Sequence, residues 1–391
     1  MDQVRNPYVP GAGRRPAALV GRDAERQEWS VALERVERGR SGRSHVLYGL
    51  RGVGKTVLLS DFARAARSRG WIVGMGEAGA GKQLRQMLSE ALHADLVSLA
   101  HPTAGRKLLR ALRTLVSFKA SYDVGGTWTF GLDLNDVPGG GADTGSLETD
   151  LSQLVRDLSA AAGDRSSGLA ILIDEAQDLT VEELTAVCAT CHLAGQNDWP
   201  LLVAMAGLPS LPRMLAEAKS YAEQLFLFSH IQHLSGQLAR DAVIEPARPE
   251  GVAWEVDAVD CIVQETRGYP YFLQEYGQAT WNAADGPEHI TFVDAKVGAA
   301  RALASLDAGF FRSRWDRATS AEKQYLKAMA PDGDGGSSSS KVAERLDRKP
   351  TSLGPARAAL IHKGLVYPPD HGIVAFTVPG MAAFILRQVD E

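Results

Sequence analysis

One short segment, residues 49–56, constrains the fold of this chain more than any other feature. It reads GLRGVGKT, which fits the pattern GxxxxGK followed by Ser or Thr. The apolar residues 45–48 precede it as a predicted strand, and a helix is predicted to begin at Lys55. The glycines let successive backbone N–H groups face one point, where the helix N-terminus adds positive potential. The segment therefore predicts a phosphate-binding loop in an α/β protein.

The remaining strands of that sheet can be placed by their apolar runs. Three further strands are predicted at residues 71–74, 169–173 and 201–206. Apolar strands that alternate with amphipathic helices indicate a parallel sheet covered on both faces. Residues 116–146 interrupt this pattern, because they alternate around Gly125 and Gly126 and then become glycine-rich. They predict an inserted hairpin and loop.

The chemistry predicted for the loop is nucleotide hydrolysis. Lys55 is expected to reach the β- and γ-phosphates, and the Thr56 hydroxyl to ligate Mg²⁺. The strand at residues 169–173 ends in Asp174 and Glu175. Asp174 is expected to support the metal, and Glu175 to orient or deprotonate the attacking water. The sequence has no NKxD guanine motif, so ATP is favoured over GTP as the substrate.

A second stretch, residues 76–82, also fits GxxxxGK after a predicted strand. The next residue is Gln83, whose amide cannot replace a Ser or Thr hydroxyl on magnesium. We therefore interpret this stretch as an ordinary loop, and Lys55 and Glu175 as the catalytic candidates.

Together these motifs resemble the Walker A and Walker B motifs of the AAA+/STAND group of P-loop ATPases. The chain is most similar to the prokaryotic archaeal-ATPase type. Residues 19–25 (LVGRDAE) resemble the box before Walker A, which implies that Val20 and Arg22 line the adenine side. Residues 268–270 (GYP) resemble the lid GxP motif, which implies that Pro270 lies near the nucleotide. The nucleotide-binding candidates are Val20, Arg22, Gly49, Leu50, Arg51, Gly52, Val53, Gly54, Lys55, Thr56, Val57 and Pro270.

Two parts that the resemblance leads us to expect are weak in this sequence. The fourth strand should end near a polar sensor residue, but residues 205–209 read MAGLP and the first hydroxyl is that of Ser210. Several arginines are equal candidates for an arginine finger or a lid sensor: Arg213, Arg240, Arg248 and Arg267. An ATPase that lacks these parts is expected to turn over slowly and to behave as a switch.

The C-terminal residues resemble a winged helix. Residues 341–347 and 352–363 predict two short helices, and residues 365–378 predict a hairpin-like wing. If the second helix enters a DNA major groove, Ser352 and Arg357 would face bases or phosphate. Lys349 and Lys363 would then contact the DNA backbone.

A second interpretation of the same residues needs no DNA. By the STAND resemblance, the winged helix packs against the nucleotide site and relays its state through protein contacts. Residues 341–363 carry six Lys and Arg against two Asp and Glu, which is only modestly basic. Both interpretations stay open, but no effector domain or repeat array is apparent after the winged helix, which favours DNA binding, with the switch as the alternative.

The overall organisation predicted is an α/β protein: an extended arm at residues 1–18, a P-loop ATPase core at 19–234, a helical lid at 235–306 and a winged-helix domain at 307–391. Its 391 residues are 45% hydrophobic with a net charge of −5, so the whole chain is not a polycation for nucleic acid. Without an apolar span, a secretory leader or more than three cysteines, it is expected to be cytoplasmic and to have no membrane partner. Its expected partners are double-stranded DNA, further copies of itself in a nucleotide-dependent oligomer, or an unidentified protein.

Overall fold

The computed structural model describes residues 1–79, 81–99, 105–120 and 141–388. The chain forms two compact units, which are described separately. The sheet unit consists of Arg22–Tyr48 and Lys55–His230. The helical unit consists of Met1–Gly21, Gly49–Gly54 and Ile231–Glu391. The predicted phosphate loop is thus divided, with its glycine-rich part in the helical unit and Lys55 in the sheet unit.

The sheet unit is built on five parallel strands in the order β2-β3-β4-β1-β5. The strands are β1 (Ser44–Tyr48), β2 (Ile72–Glu77), β3 (Leu169–Asp174), β4 (Leu201–Gly207) and β5 (Phe226–His230). The four predicted strands are confirmed, and β3 and β4 are buried along their whole length, as expected for a sheet covered on both faces. The fifth strand was not predicted, because the apolar run within it, FLF, has three residues, one fewer than the shortest strand predicted from the sequence.

Eight helices accompany this sheet within the described residues. They are α1 (Asp23–Glu37), α2 (Lys55–Ser68), α3 (Leu84–Leu99), α4 (Arg106–Ala120), α5 (Leu147–Gly163), α6 (Val181–Gln196), α7 (Leu211–Ala218) and α8 (Ala222–Leu225). A short 3₁₀ turn, Ala176–Asp178, follows β3.

The structure corrects the prediction of a hairpin at residues 116–146. Helix α4 continues to Ala120, so the first residues of the predicted hairpin are helical. Leu112, Leu115 and Phe118 are fully buried at helical spacing, and burying this face stabilises a helix in place of a strand. Residues 121–140, which include Gly125 and Gly126, lie outside the described residues.

The helical unit begins with the N-terminal residues. These residues include a short 3₁₀ turn, Gln3–Arg5, and they pack on the helices that follow Ile231. Tyr8 is fully buried beside Trp254 and Trp281, with its ring centroid 6.1 Å and 6.4 Å from theirs. Its hydroxyl donates to the carbonyl of Val243 and accepts from the Trp254 indole at 3.0 Å.

Four helices and a small parallel sheet form the next part of this unit. They are α9 (Gly236–Ala247), β6 (Ala253–Trp254), α10 (Val256–Thr266), α11 (Pro270–Ala283), β7 (His289–Ile290) and α12 (Phe292–Ser305). The sequence predicted helices here and no strands, so β6 and β7 correct that prediction. Each has only two residues, which is too short for an alternating pattern.

The C-terminal region, residues 308–388, begins with the end of a π-helical turn, Leu306–Phe311. Its elements are α13 (Arg312–Asp316), α14 (Ser320–Met329), β8 (Ser337–Ser338), α15 (Ser339–Arg345), α16 (Gly354–His362), β9 (Val366–Tyr367), β10 (Ile373–Phe376) and α17 (Met381–Arg387). The strands form an antiparallel sheet in the order β8-β10-β9. The two predicted helices and the hairpin are therefore confirmed, with Ser338 capping α15. No helix in the described ranges is long and apolar enough to cross a membrane.

Candidate active site

The carboxyl ends of the strands lie at one edge of the sheet. Tyr48, the last residue of β1, is level with Gly207 on β4. Ile173 on β3 is level with Met205 on β4, and Asp174 is level with Glu77 on β2. Ligands of parallel α/β sheets bind outside this edge, so the register brings the ends of the two predicted motifs to the place where a ligand is expected.

Three of the predicted site residues contact one another there. Lys55 and Thr56 open helix α2, and Asp174 ends β3. The side chains of Thr56 and Asp174 are hydrogen-bonded. Burial raises the pKa of the Asp174 carboxyl, while this hydrogen bond, a backbone hydrogen bond from Glu175 and the charge of Lys55 oppose the shift. The structure thus brings Thr56 and Asp174 into contact, with the charge of Lys55 nearby, and their roles stay predictions.

The oxygen atoms at this point suit a magnesium ion. Mg²⁺ takes oxygen ligands, commonly one or two from the protein with the rest from waters and substrate phosphates. Thr56 provides a hydroxyl oxygen, and Asp174 provides a carboxylate that is only 7% exposed. These are two protein ligands of the required kind. Because burial penalises the charge of Asp174, a nearby cation would stabilise the ionised form.

Glu175 leaves the strand in a left-handed backbone conformation, with φ 48° and ψ 38°. For a residue with a side chain this conformation costs on the order of 1–3 kcal/mol, and such strain concentrates at functional sites. Its carboxylate atom Oε2 accepts a hydrogen bond of 2.6 Å from Nε2 of Gln177. Oε1 of Gln177 accepts from the backbone N–H of Leu208, just beyond β4, at 2.9 Å.

Sequence reasoning missed Gln177. The residue was visible in the run IDEAQ, two positions after the acid, but nothing in the sequence alone indicates that the chain turns there. The 3₁₀ turn Ala176–Asp178 folds its amide back toward Glu175.

The glycine-rich part of the loop, Gly49–Gly54, is hydrogen-bonded to two other parts of the helical unit. Gly52 has φ +86°, a conformation that favours glycine, and its carbonyl accepts from the N–H of Tyr271 at 3.1 Å. Pro270, the predicted lid contact, begins helix α11 one residue before Tyr271. The N–H of Arg51 donates to the carbonyl of Thr377 in the C-terminal region at 3.0 Å. Neither Tyr271 nor Thr377 was identified from the sequence.

An arginine of the C-terminal region lies beside the same loop. The guanidinium carbon of Arg314 is 3.8 Å from the centre of the Phe310 ring, which stacks on Tyr271 at 4.9 Å. Burial, and after it the positive charges of Arg317 and Arg51, lower the pKa of Arg314 to about 10. The tip of the loop therefore carries concentrated positive charge.

The two residues predicted to line the adenine side remain predictions. Arg22 is 8% exposed at the start of helix α1, and burial lowers its pKa. Val20 is half-buried and precedes Gly21. A Cβ atom on Gly21 would lie 2.8 Å from the Leu234 side chain, so the chain passes closely there.

The arginines proposed as finger or sensor all pair with carboxylates of their own unit. The pairs are Arg213–Glu217 at 3.6 Å, Arg240–Asp260 at 2.5 Å, Arg248–Glu245 at 2.9 Å and Arg267–Asp334 at 3.3 Å. These ion pairs do not distinguish one of the four arginines as the finger or the sensor.

Three of the four candidate DNA contacts have hydrogen bonds within the C-terminal region. Lys363 forms a 2.6 Å ion pair with Glu322, whose side chain is 7% exposed. The guanidinium of Arg357 donates to a backbone carbonyl at 3.3 Å. The Ser352 hydroxyl donates to the carbonyl of Lys349 at 2.7 Å, while Lys349 itself is exposed.

Comparison with known proteins bears on the family and the fold. Residues 18–204 match the family described as AAA ATPase domain, and residues 308–385 match a family described as a domain of unknown function, DUF8462. The Walker-type ATPase PABY2304 of Pyrococcus abyssi is similar over 94% of this chain and 96% of its own, with 14% identity and a TM-score of 0.57. The likeness confirms the predicted α/β P-loop fold. No curated protein matches the chain significantly.

Two other solved structures are similar at a lower level. The Aeropyrum pernix ORC1 protein in complex with DNA shares 16% identity over 97% of this chain and 95% of its own, with a TM-score of 0.46. The Thermotoga maritima RuvB Holliday junction branch migration motor shares 13% identity over 97% and 100%, also with a TM-score of 0.46. At these values neither structure supports an argument about function.

Proposed function

Because residues 18–204 form an AAA+ P-loop ATPase domain, we propose that this ATPase is a nucleotide-dependent switch that acts through its C-terminal region. The observation that carries the proposal is the hydrogen bond from the N–H of Arg51, inside the phosphate loop, to the carbonyl of Thr377. The output is a change of protein contacts, made with further copies of the chain or with another protein.

The chemistry is hydrolysis of the bond between the β- and γ-phosphates of ATP. Lys55 offsets phosphate charge, and Glu175 orients the attacking water and accepts its proton. Thr56 and Asp174 would hold Mg²⁺, which when bound neutralises negative charge on the phosphate oxygens. Positioning and charge stabilisation supply most of the rate, because little covalent chemistry falls to the protein in this reaction.

The switching step follows from the two hydrogen bonds of the loop. Backbone N–H groups of such a loop turn toward bound phosphate. Here the N–H of Arg51 donates to the carbonyl of Thr377, and the carbonyl of Gly52 accepts from the N–H of Tyr271. A rearrangement of the loop around phosphate changes both bonds, each worth on the order of 1 kcal/mol. Nucleotide state and the position of the C-terminal region are therefore energetically coupled.

The same region, read as a winged helix, was also a candidate for binding DNA. Lys363, Arg357 and Ser352 are already used in contacts within the region, which favours the switch over DNA binding. Among the four candidate contacts, Lys349 is the exposed cation, so a DNA complex would reach it without disturbing those contacts. ATP turnover with and without duplex DNA therefore also tests the DNA-binding function.

The first experiment measures steady-state ATP turnover with and without duplex DNA at low salt, with Lys55→Ala as the blank. Glu175→Gln should bind ATP but turn it over about 100-fold or more slowly, since general base catalysis contributes on the order of 10²–10⁴. The switch predicts turnover that is indifferent to DNA. Stimulation by DNA that falls steeply with salt and is lost in Lys349→Glu would instead establish the DNA-directed function.

The second experiment follows the C-terminal region directly. Amide hydrogen exchange of residues 365–378 is compared in Glu175→Gln with Mg²⁺·ATP, with ADP and without nucleotide, and size-exclusion chromatography follows assembly. We expect exchange to increase with ATP, and Lys55→Ala to abolish the difference. Equal exchange in all three states, with ATP shown to be bound, would refute the coupling.

A further inference from the structure

The side chain of Gln177 joins the ends of two strands of the sheet. Its Nε2 donates to the carboxylate of Glu175 at 2.6 Å, and its Oε1 accepts from the N–H of Leu208 at 2.9 Å. A backbone N–H can only donate, so it determines which end of the amide faces β4. The other end, with its two N–H groups, must then face the acids. Nε2 also donates to Oδ1 of Asp178, at a distance of 3.2 Å.

The end of β4 is shaped to receive this amide. A Cβ atom on Gly207 would lie 2.9 Å from Oε1 of Gln177 and 2.8 Å from the Leu211 side chain, so no larger residue fits without displacement. The residues that follow, Leu208 and Pro209, carry no polar side chain. The polar group at this end of β4 therefore comes from the turn after β3.

We propose that Gln177 is the positioning residue for Glu175, and that it holds the Glu175 carboxylate in the orientation that water activation requires. The backbone of Glu175 is left-handed, so its side chain leaves the strand direction and needs a separate restraint. A donor 2.6 Å from the carboxylate provides that restraint. The inference rests on the role proposed above for Glu175.

A purely structural role is the competing explanation, in which Gln177 only ties β3 to β4. Gln177→Glu separates the two roles. A glutamate of the same length still accepts the Leu208 N–H and so keeps the tie. It replaces the donor beside Glu175 with a second carboxylate, which repels the first and displaces it from its orientation.

The experiment measures kcat, KM for Mg²⁺·ATP and the melting temperature. The variants are Gln177→Glu, Gln177→Ala and the control Gln196→Ala, which removes an exposed glutamine at the end of helix α6. We expect Gln177→Glu to melt close to the parent protein and to lower kcat about 10- to 100-fold, with KM within about 3-fold. Gln196→Ala should match the parent protein.

Glu175→Gln distinguishes failure of this inference from failure of the proposed mechanism. If Glu175→Gln hydrolyses ATP normally, the role of Glu175 is wrong, and the inference falls with it. If Glu175→Gln is slow while Gln177→Glu keeps the parental kcat, only the inference is wrong. In the Glu175→Gln background, Gln177→Glu should change kcat less than about 3-fold. A further loss as large as in the parent protein would show that Gln177 does not act through Glu175.

Discussion

The histidine in the strand that leads into the phosphate loop makes the stability of the sheet unit depend on pH. His45 is 1% exposed on β1, with its ring centroid 5.4 Å from that of Trp29 and 5.8 Å from that of Phe62. Its Nδ1 has no hydrogen-bond partner within the described part of the chain. Burial, and secondly the charge of Arg43, lower the pKa of His45 from 6.5 to about 4.

The sign of the effect follows from proton binding. Between pH 6.5 and pH 4 the unfolded chain binds a proton at His45 that the folded chain does not. Above pH 6.5 the imidazole is neutral in both states and the free energy of unfolding has its full value. As the pH falls toward 4, proton binding to the unfolded chain lowers the free energy of unfolding. At about 1.36 kcal/mol per pKa unit, the full loss is about 3 kcal/mol, of which about 2.5 kcal/mol is reached by pH 4.5.

The replacement His45→Phe keeps an aromatic ring between Trp29 and Phe62 and removes the titration. Urea unfolding, followed by tryptophan fluorescence at pH 7 and pH 4.5, measures the free energy of unfolding of both proteins. The parent protein should lose about 2.5 kcal/mol more than the variant between these two values. Variant His371→Gln, at an exposed histidine, is the control for the loss of one histidine. Equal losses in parent and His45→Phe would refute the assignment of a buried neutral imidazole.

Three further perturbations follow from single contacts. Asp150→Asn breaks a 2.9 Å ion pair with Arg85 whose side chains are 0% and 9% exposed, and should cost about 3–5 kcal/mol in urea unfolding; a cost under 1 kcal/mol would mean that the pair is solvated. Tyr8→Phe leaves the Trp254 indole without its acceptor and should lower stability by about 1–3 kcal/mol, and an unchanged unfolding midpoint would contradict this. Thr56→Val should make ATP affinity the same with Mg²⁺ as with a chelator, and a retained Mg²⁺ effect would exclude this hydroxyl as a ligand.

The phosphate loop and the acidic strand end could be predicted because their information is local. A loop that turns on glycines and leads into a helix has a short sequence pattern, and so does a buried apolar run that ends in Asp174 and Glu175. Parallel pairing then brings the two motifs to one edge of the sheet, where Thr56 and Asp174 are hydrogen-bonded. The helices and the hairpin of the C-terminal region were predictable for the same reason.

Other features depend on what the tertiary structure buries. Residues 116–120 alternate in sequence, but Leu115 and Phe118 are buried from a helix, so packing overrides the local pattern. The strand β5 has an apolar run of only three residues and is completed by pairing with β1. Lys363 and Arg357 appear in the sequence as a basic patch, whereas folding directs them to Glu322 and to a backbone carbonyl.

By itself, the sequence determined the class of fold and predicted the phosphate loop and the roles of Lys55, Thr56, Asp174 and Glu175, because each belongs to a contiguous pattern with one physical use. Only the tertiary structure decided what touches that machinery. Gln177 reaches Glu175 because a turn reverses the chain, and Thr377 reaches Arg51 from 326 positions away in the sequence. A hydrogen bond between distant residues leaves no pattern in either segment, since any residue offers the same backbone carbonyl and N–H groups.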